Sequence, residues 1–246
     1  MVNTLKFINK SSQHITMSFY LYLNLAIIAF PLIFSFEKRI KFYTKIKPLL
    51  ISLLLVGIFF VAWDSFATSR GHWSFNPAYV NETKLFGLPI EEILFFVTVP
   101  YSCLFVFVSI NHFIKDKKLF ENKKMVSSAI GGLIIALAFI FFSKEYTFLA
   151  ILSVGLTILF STLMNSNIFS SKAYWIYIIL TLILFLIFNY ILTSTPVVQY
   201  SNNAITGFRI TTIPIEDFLF NYSMLTNYLI VFLFAVKKLK TDSVLQ

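Results

Sequence analysis

The 246 residues are 58% hydrophobic and 13% charged, with 30 Phe and 12 Tyr. That is about half the charged share of a soluble domain, which excludes an ordinary water-soluble globular protein. The formal charge of +9 does not imply a nucleic-acid partner, because the basic residues lie between apolar runs and form no basic domain.

Residues 1–17 are polar and lack a small-residue cleavage site, so the first apolar segment is expected to be retained and not removed as a signal peptide. Seven windows read as membrane spans: Ser18 to Phe36, Pro48 to Trp63, Leu88 to Ile114, Val126 to Phe142, Tyr146 to Met164, Ala173 to Leu192 and Ile213 to Val236. The second is short and must either tilt little or extend into its flanks. Alternate connections are basic: Glu37 to Lys47 and Lys115 to Lys124 carry five Lys/Arg each, Lys172 adds one, and the tail adds Lys237, Lys238 and Lys240. The opposite side holds Lys6, Lys10, Arg70, Lys84, Lys144 and Arg209. The positive-inside rule then predicts an external N-terminus and a cytoplasmic C-terminus, which seven spans satisfy. Cys103, the single cysteine, falls within the third span, so neither an internal disulfide framework nor a cysteine metal cluster is available.

The two halves match at an offset of 125 residues. Asp64 aligns with Asn189, Thr68-Ser69 with Thr193-Ser194, and Pro89-Ile90-Glu91-Glu92 with Pro214-Ile215-Glu216-Asp217; Leu94-Phe95 then aligns with Leu219-Phe220. Apolar identities mean little in so apolar a chain, but the prolines and polar residues carry the match. The predicted fold is an all-α integral membrane protein: residues 1–115 form a first three-helix repeat, 116–145 a connector helix, and 146–246 a second three-helix repeat. Four crossings separate corresponding helices, so the repeats run parallel and both acidic motifs reach the same membrane face.

Pro89 and Pro214 are predicted in the first turns of helices, where a missing N–H costs nothing. Glu91, Glu92, Glu216 and Asp217 follow, and a carboxylate there is favoured by the helix dipole by about 0.3 to 1 kcal/mol. Simple capping is the plain reading. Two features favour chemistry instead. The acids precede Phe95, Phe96 and Phe220 by four residues, which stacks carboxyls beside rings on one helix face; and the motif is duplicated. A buried carboxyl within a membrane costs a few kcal/mol if charged and tends to be neutral, paired or functional. Neighbouring carboxyls in opposed environments are one way to make an acid and a base from one residue type.

Asp64 and Asn189, with Thr68 and Thr193 four residues on, are candidates either to bond the acids or to cap helix ends. Trp63, Trp73 and Tyr200 are placed as interface anchors, although rings near the acids could also face a cation. His72 and His112 fall at opposite faces and have no metal-ligand spacing, so no metal is expected. Gly131-Gly132 suits close helix packing. No dinucleotide, P-loop or nucleophile-elbow motif is present, and no cofactor is expected.

These residues resemble the small membrane-bound lycopene cyclases, found as two separate subunits in some bacteria and as a fused domain in others. The resemblance covers nearly the whole chain and rests on Asp64 with Gly71-His72-Trp73-Ser74-Phe75, on Gly87-Leu88-Pro89-Ile90-Glu91-Glu92 with Phe95-Phe96, and on Asn189, Thr193, Tyr200, Gly207-Phe208-Arg209 and Ile213-Pro214-Ile215-Glu216-Asp217. It implies the fused form, acting on a membrane-dissolved carotenoid in the bacterial inner or cell membrane. Lycopene ψ-ends would become β-ionone rings, giving γ-carotene and then β-carotene, with Glu91, Glu92, Glu216 and Asp217 as the catalytic positions. Asp64, Asn189, Thr68, Thr193, Trp73, Phe95, Phe96 and Phe220 are the supporting candidates. Asn221 stands where the first motif has Phe96, so two sites need not be equivalent. A homo-oligomer or association with other carotenoid-pathway enzymes stays open.

A proton-coupled transporter would also carry parallel repeats and intramembrane acids, but it would need polar lining along several spans, which is scarce. A retinal photoreceptor needs a lysine in the last span, and Ile213 to Val236 has none. A diphosphate-binding prenyltransferase needs aspartate clusters, and Asp64 stands alone.

Overall fold

A computed structural model describes residues 18–240. Lys6 and Lys10, and the polar stretch before the first span, lie outside the described residues. Seven α-helices account for nearly all the regular structure: α1 Phe19–Phe34, α2 Ile46–Ser69, α3 Ile90–Phe113, α4 Lys124–Ala138, α5 Glu145–Leu163, α6 Lys172–Ser194 and α7 Ile215–Lys238. Six of them, counting the 3-10 turns that extend α2 and α4, are long and apolar enough to cross a membrane, while α1 is a shorter apolar helix of 16 residues. Large apolar side chains such as Leu54, Ile58 and Met125 are exposed on their flanks. Helices apolar all round are sequences for which lipid is a solvent as good as a protein core.

The short second window is resolved by length. α2 begins at Ile46, ahead of Pro48, and runs on to Ser69, 24 residues in all. Pro89 and Pro214 stand one position earlier than expected: each has extended backbone (ψ 147° and 143°) and caps a helix that begins at the following isoleucine. Their fixed φ suits either place, but each proline also closes a two-residue strand. β2 Lys84–Leu85 pairs with β3 Leu88–Pro89, and β5 Arg209–Ile210 pairs with β6 Ile213–Pro214.

α3 and α7 form the centre. α1 packs on α3, and α5 packs on α7. α2 also packs on α7, and α6 on α3, so the second helix of each half lies against the third helix of the other. α4 packs against α5, where the backbones nearly touch: a Cβ added at Gly155 would meet the Gly131 carbonyl oxygen at 2.8 Å. Gly132 meets nothing within 4 Å, so the packing role belongs to Gly131 and Gly155.

One end of the bundle gathers the strands. β1 Trp73–Phe75 and β4 Val198–Tyr200 form an antiparallel ribbon, with Trp73 opposite Tyr200. Matching backbone bonds recur across the halves: His72 N–H reaches the Ala67 carbonyl as Val197 N–H reaches that of Leu192, and Asn76 N–H reaches the Val197 carbonyl as Ser201 N–H reaches that of His72. The three residue correspondences, His72 with Val197, Ala67 with Leu192 and Asn76 with Ser201, all follow the offset of 125.

Candidate active site

The first turns of α3 and α7 each present two adjacent acids, and the members of each pair point in different directions. Glu91 and Glu216 are fully buried, at 0% exposure. Glu91 Oε1 accepts from the Ser18 hydroxyl and from Asn81 twice, through its backbone N–H at 2.8 Å and its side-chain amide at 2.5 Å. Glu216 Oε1 accepts from the Thr147 hydroxyl at 2.6 Å, and from the Thr206 backbone N–H and hydroxyl at 2.8 Å each. Each of these carboxyls therefore ties the loop before its own helix to the start of a neighbouring one. Among the described residues, their Oε2 atoms have no hydrogen-bond partner.

Glu92 and Asp217 instead face a common cavity of about 70 Å³, which Asp64 and Asn189 also line. The Tyr20 hydroxyl donates to Glu92 Oε2 at 2.7 Å. Three groups donate to Asp217: the Tyr146 hydroxyl at 2.8 Å, the Tyr200 hydroxyl at 2.6 Å and the Asn189 amide at 2.9 Å. Burial, and then the adjacent Asp217 carboxyl, hold the Tyr200 phenol well above its ordinary pKa, so it remains a neutral donor. Among the described residues, Asp64 Oδ2 has no hydrogen-bond partner. Donors satisfy a buried carboxylate, whereas an undersatisfied one is costly; the cavity therefore holds one well-donated acid beside two sparsely donated ones.

Aromatic rings wall the rest. Trp73 is buried and meets the Tyr146 ring edge-on at 4.9 Å, while Tyr146 and Tyr200 stack at 6.2 Å. Phe95, Phe96 and Phe220, one turn further along α3 and α7 than the acids, also line the cavity. Thr193 bonds the Asn189 carbonyl at 2.8 Å and the Thr212 hydroxyl at 2.6 Å, and no bond joins it to an acid. Thr68 Oγ1 is buried and has no hydrogen-bond partner among the described residues. His72 is buried behind Trp73, with Nε2 3.1 Å from Glu145 Oε2, which Arg70 also reaches at 3.0 Å. Among the described residues, no group of three or more His, Cys, Asp or Glu side chains could hold a metal ion.

Sequence reasoning did not single out Tyr20, Tyr146, Asn81, Thr147 or Thr206. Asn81 and Thr206 are separated by the same 125 residues as the acidic motifs and were legible in principle. Tyr20 and Tyr146 are separated by 126, a slip of one residue that a fixed offset misses, yet both donate to a cavity acid, and their N–H groups reach the corresponding Tyr79 and Ala204 carbonyls.

Fold and site together define a bundle of apolar helices, six of them long enough to cross a membrane, with a buried cluster of carboxyls contributed by both halves of the chain. The family model described as lycopene cyclase matches residues 17–110 and 143–235. No curated protein and no solved structure matches the chain. With well over half of its length matched, the chain belongs to the lycopene cyclase family.

Proposed function

We propose that this protein is a lycopene β-cyclase that closes the ψ-ends of lycopene into β-ionone rings by redox-neutral acid–base catalysis. In this reading it spans the membrane seven times as two parallel three-helix units, with the N-terminus outside and the C-terminus in the cytoplasm. The observation that carries the reading is the convergence of Glu92 from one half and Asp217 from the other on one aromatic-walled cavity, in a chain of the lycopene cyclase family.

The chemistry needs a proton donor, a base, exclusion of water and electron-rich surfaces near a cation. Glu92, with a single side-chain donor among the described residues and Asp64 on the same wall, is the proton donor; it protonates C2 of the terminal double bond and leaves a tertiary cation at C1. The C5=C6 electron pair forms the C1–C6 bond and moves the cation to C5. Asp217, whose three donors favour a carboxylate, takes the C6 proton as the C5=C6 bond re-forms. Trp73, Tyr146 and Tyr200 offer ring faces to the cation. Glu91 and Glu216 position the two helices and do not touch substrate. The transporter alternative needs a polar route across the bundle, whereas the groove that continues from the cavity is lined almost wholly by apolar residues.

Expression in lycopene-accumulating bacteria should turn red cells orange-yellow, with cyclic carotenoids on chromatography. Unchanged lycopene beside protein demonstrably present in the membrane would refute the reading.

A further inference from the structure

Two apolar grooves flank the acid cavity at matching positions in the two halves. The first, of about 380 Å³, runs between α1, α3 and α6; the second, of about 360 Å³, runs between α5, α7 and α2. Phe30, Val106 and Leu184 of the first correspond to Leu156, Val231 and Phe59 of the second, at the offsets of 126 and 125 that relate the helices. Along α3 the first groove extends from Phe95 to Val106, roughly 16 Å at 1.5 Å per residue.

The grooves differ where they meet the cavity. Phe95, Phe185, Asn189, Leu192 and Asn221 line both the first groove and the cavity, which makes them continuous. Among the described residues, the second groove has no lining residue in common with the cavity. Bulkier side chains explain the closure: Tyr228 stands in place of Cys103, Phe96 in place of Asn221, and Trp63 in place of Phe188. Trp63 stacks on Phe60 at 5.8 Å, and Phe220 meets these two rings edge-on at 5.5 and 5.3 Å. The fully buried Tyr228 locks onto this wall through its hydroxyl, which donates to the Phe96 carbonyl at 2.9 Å.

We propose that the open groove between α1, α3 and α6 holds the long hydrocarbon tail of the substrate while one end reacts in the cavity, and that the Phe60, Trp63, Phe220 and Tyr228 wall shuts the equivalent path. The proposal rests on the carotenoid reading above, which supplies the chemistry of the tail. The groove is apolar, leads straight to the acids, and opens among lipid-facing side chains, as a substrate delivered from the bilayer requires. With the open groove leading into the cavity and the equivalent path shut, a single end reacts per binding event, and a second ring requires release and re-entry in the opposite sense.

Leu184 and Phe59 form a matched pair for the test, because both are exposed, at 39% and 57%, and neither lines the cavity. With lycopene as substrate, Leu184→Trp should lower turnover about tenfold or more, the size of effect that misfitting an apolar pocket produces. Phe59→Trp should stay within about twofold of wild type, both variants being normalised to protein in the membrane. The same contrast should appear in a Glu92→Gln background, read as lycopene absorbance retained by the purified protein. Equal effects of the two substitutions, a larger effect of Phe59→Trp, or no lycopene retained in that background would overturn the groove assignment. Failure of the wild type to convert lycopene would instead overturn the proposed function, so the two failures are distinguishable.

Discussion

Adjacent residues on a helix point about 100° apart, so Glu91 and Glu92 cannot share one environment, nor can Glu216 and Asp217. The structure uses that divergence: one acid of each pair closes a loop and the other faces the cavity. Spacing alone could not divide them, because all four fall in a first turn beside phenylalanines, and the division depends on Asn81 and Thr206 folding back from ten residues upstream. Glu92→Gln and Asp217→Asn should each lower turnover by about a hundredfold or more, the scale of a lost general acid or base, with protein levels in the membrane unchanged. Glu91→Gln and Glu216→Gln keep the shape but trade a carboxylate acceptor for an amide that also needs partners. These two should lose about 1–3 kcal/mol of stability, seen as a lower melting temperature in detergent, while the surviving protein keeps most of its turnover. A folded Glu91→Gln variant as inactive as Glu92→Gln would return Glu91 to the catalytic set.

Helices were more legible than the devices that end them. All seven apolar windows became helices because a 20-residue apolar run admits few other structures in lipid, where every backbone polar group must be satisfied internally. The β1–β4 ribbon was not legible, since three-residue strands carry no usable period and their pairing joins residues more than a hundred positions apart. The glycine pair was half legible: Gly131 was visible as a small residue in the fourth window, but its partner Gly155 is identified only once α4 and α5 are seen to touch. At the end of the bundle away from the ribbon, Asp116 accepts from the Ala173 N–H and the Ser171 hydroxyl, a cap at the start of α6 among the Lys-rich connections. Those lysines carry the proposed orientation. In a Cys103→Ala background, Asn203→Cys at the ribbon end should react with a membrane-impermeant maleimide added to intact cells, whereas Lys240→Cys should react only after the cells are opened. The reverse pattern would place the acids at the cytoplasmic face.

The molecule as a whole is interlocked, and that sets what can be separated. Neither half contains the cavity: Tyr20, Asp64, Trp73 and Glu92 come from one, and Tyr146, Asn189, Tyr200 and Asp217 from the other. α2 lies against α7 and α6 against α3, so each half completes its burial on its partner. The covalent link between them runs through the Lys-rich segment before α4, far from the acids along α3, while α4 itself stays with the second half through its packing on α5. A chain cut between Phe120 and Glu121 therefore keeps every cavity residue and every helix intact, and loses only the effective concentration that a tether provides, about millimolar for a short link. In the plane of a membrane two co-expressed pieces can regain much of that by confinement and by the apolar faces they share. Co-expressed residues 1–120 and 121–246 should restore cyclic carotenoid in lycopene-accumulating cells to within about tenfold of the intact chain, and should co-purify through a tag on either piece. Each piece alone should leave lycopene unchanged, since it carries either Glu92 or Asp217 but never both. Activity from one piece alone would mean that a single acidic motif suffices, and the shared cavity could not then be the catalytic centre.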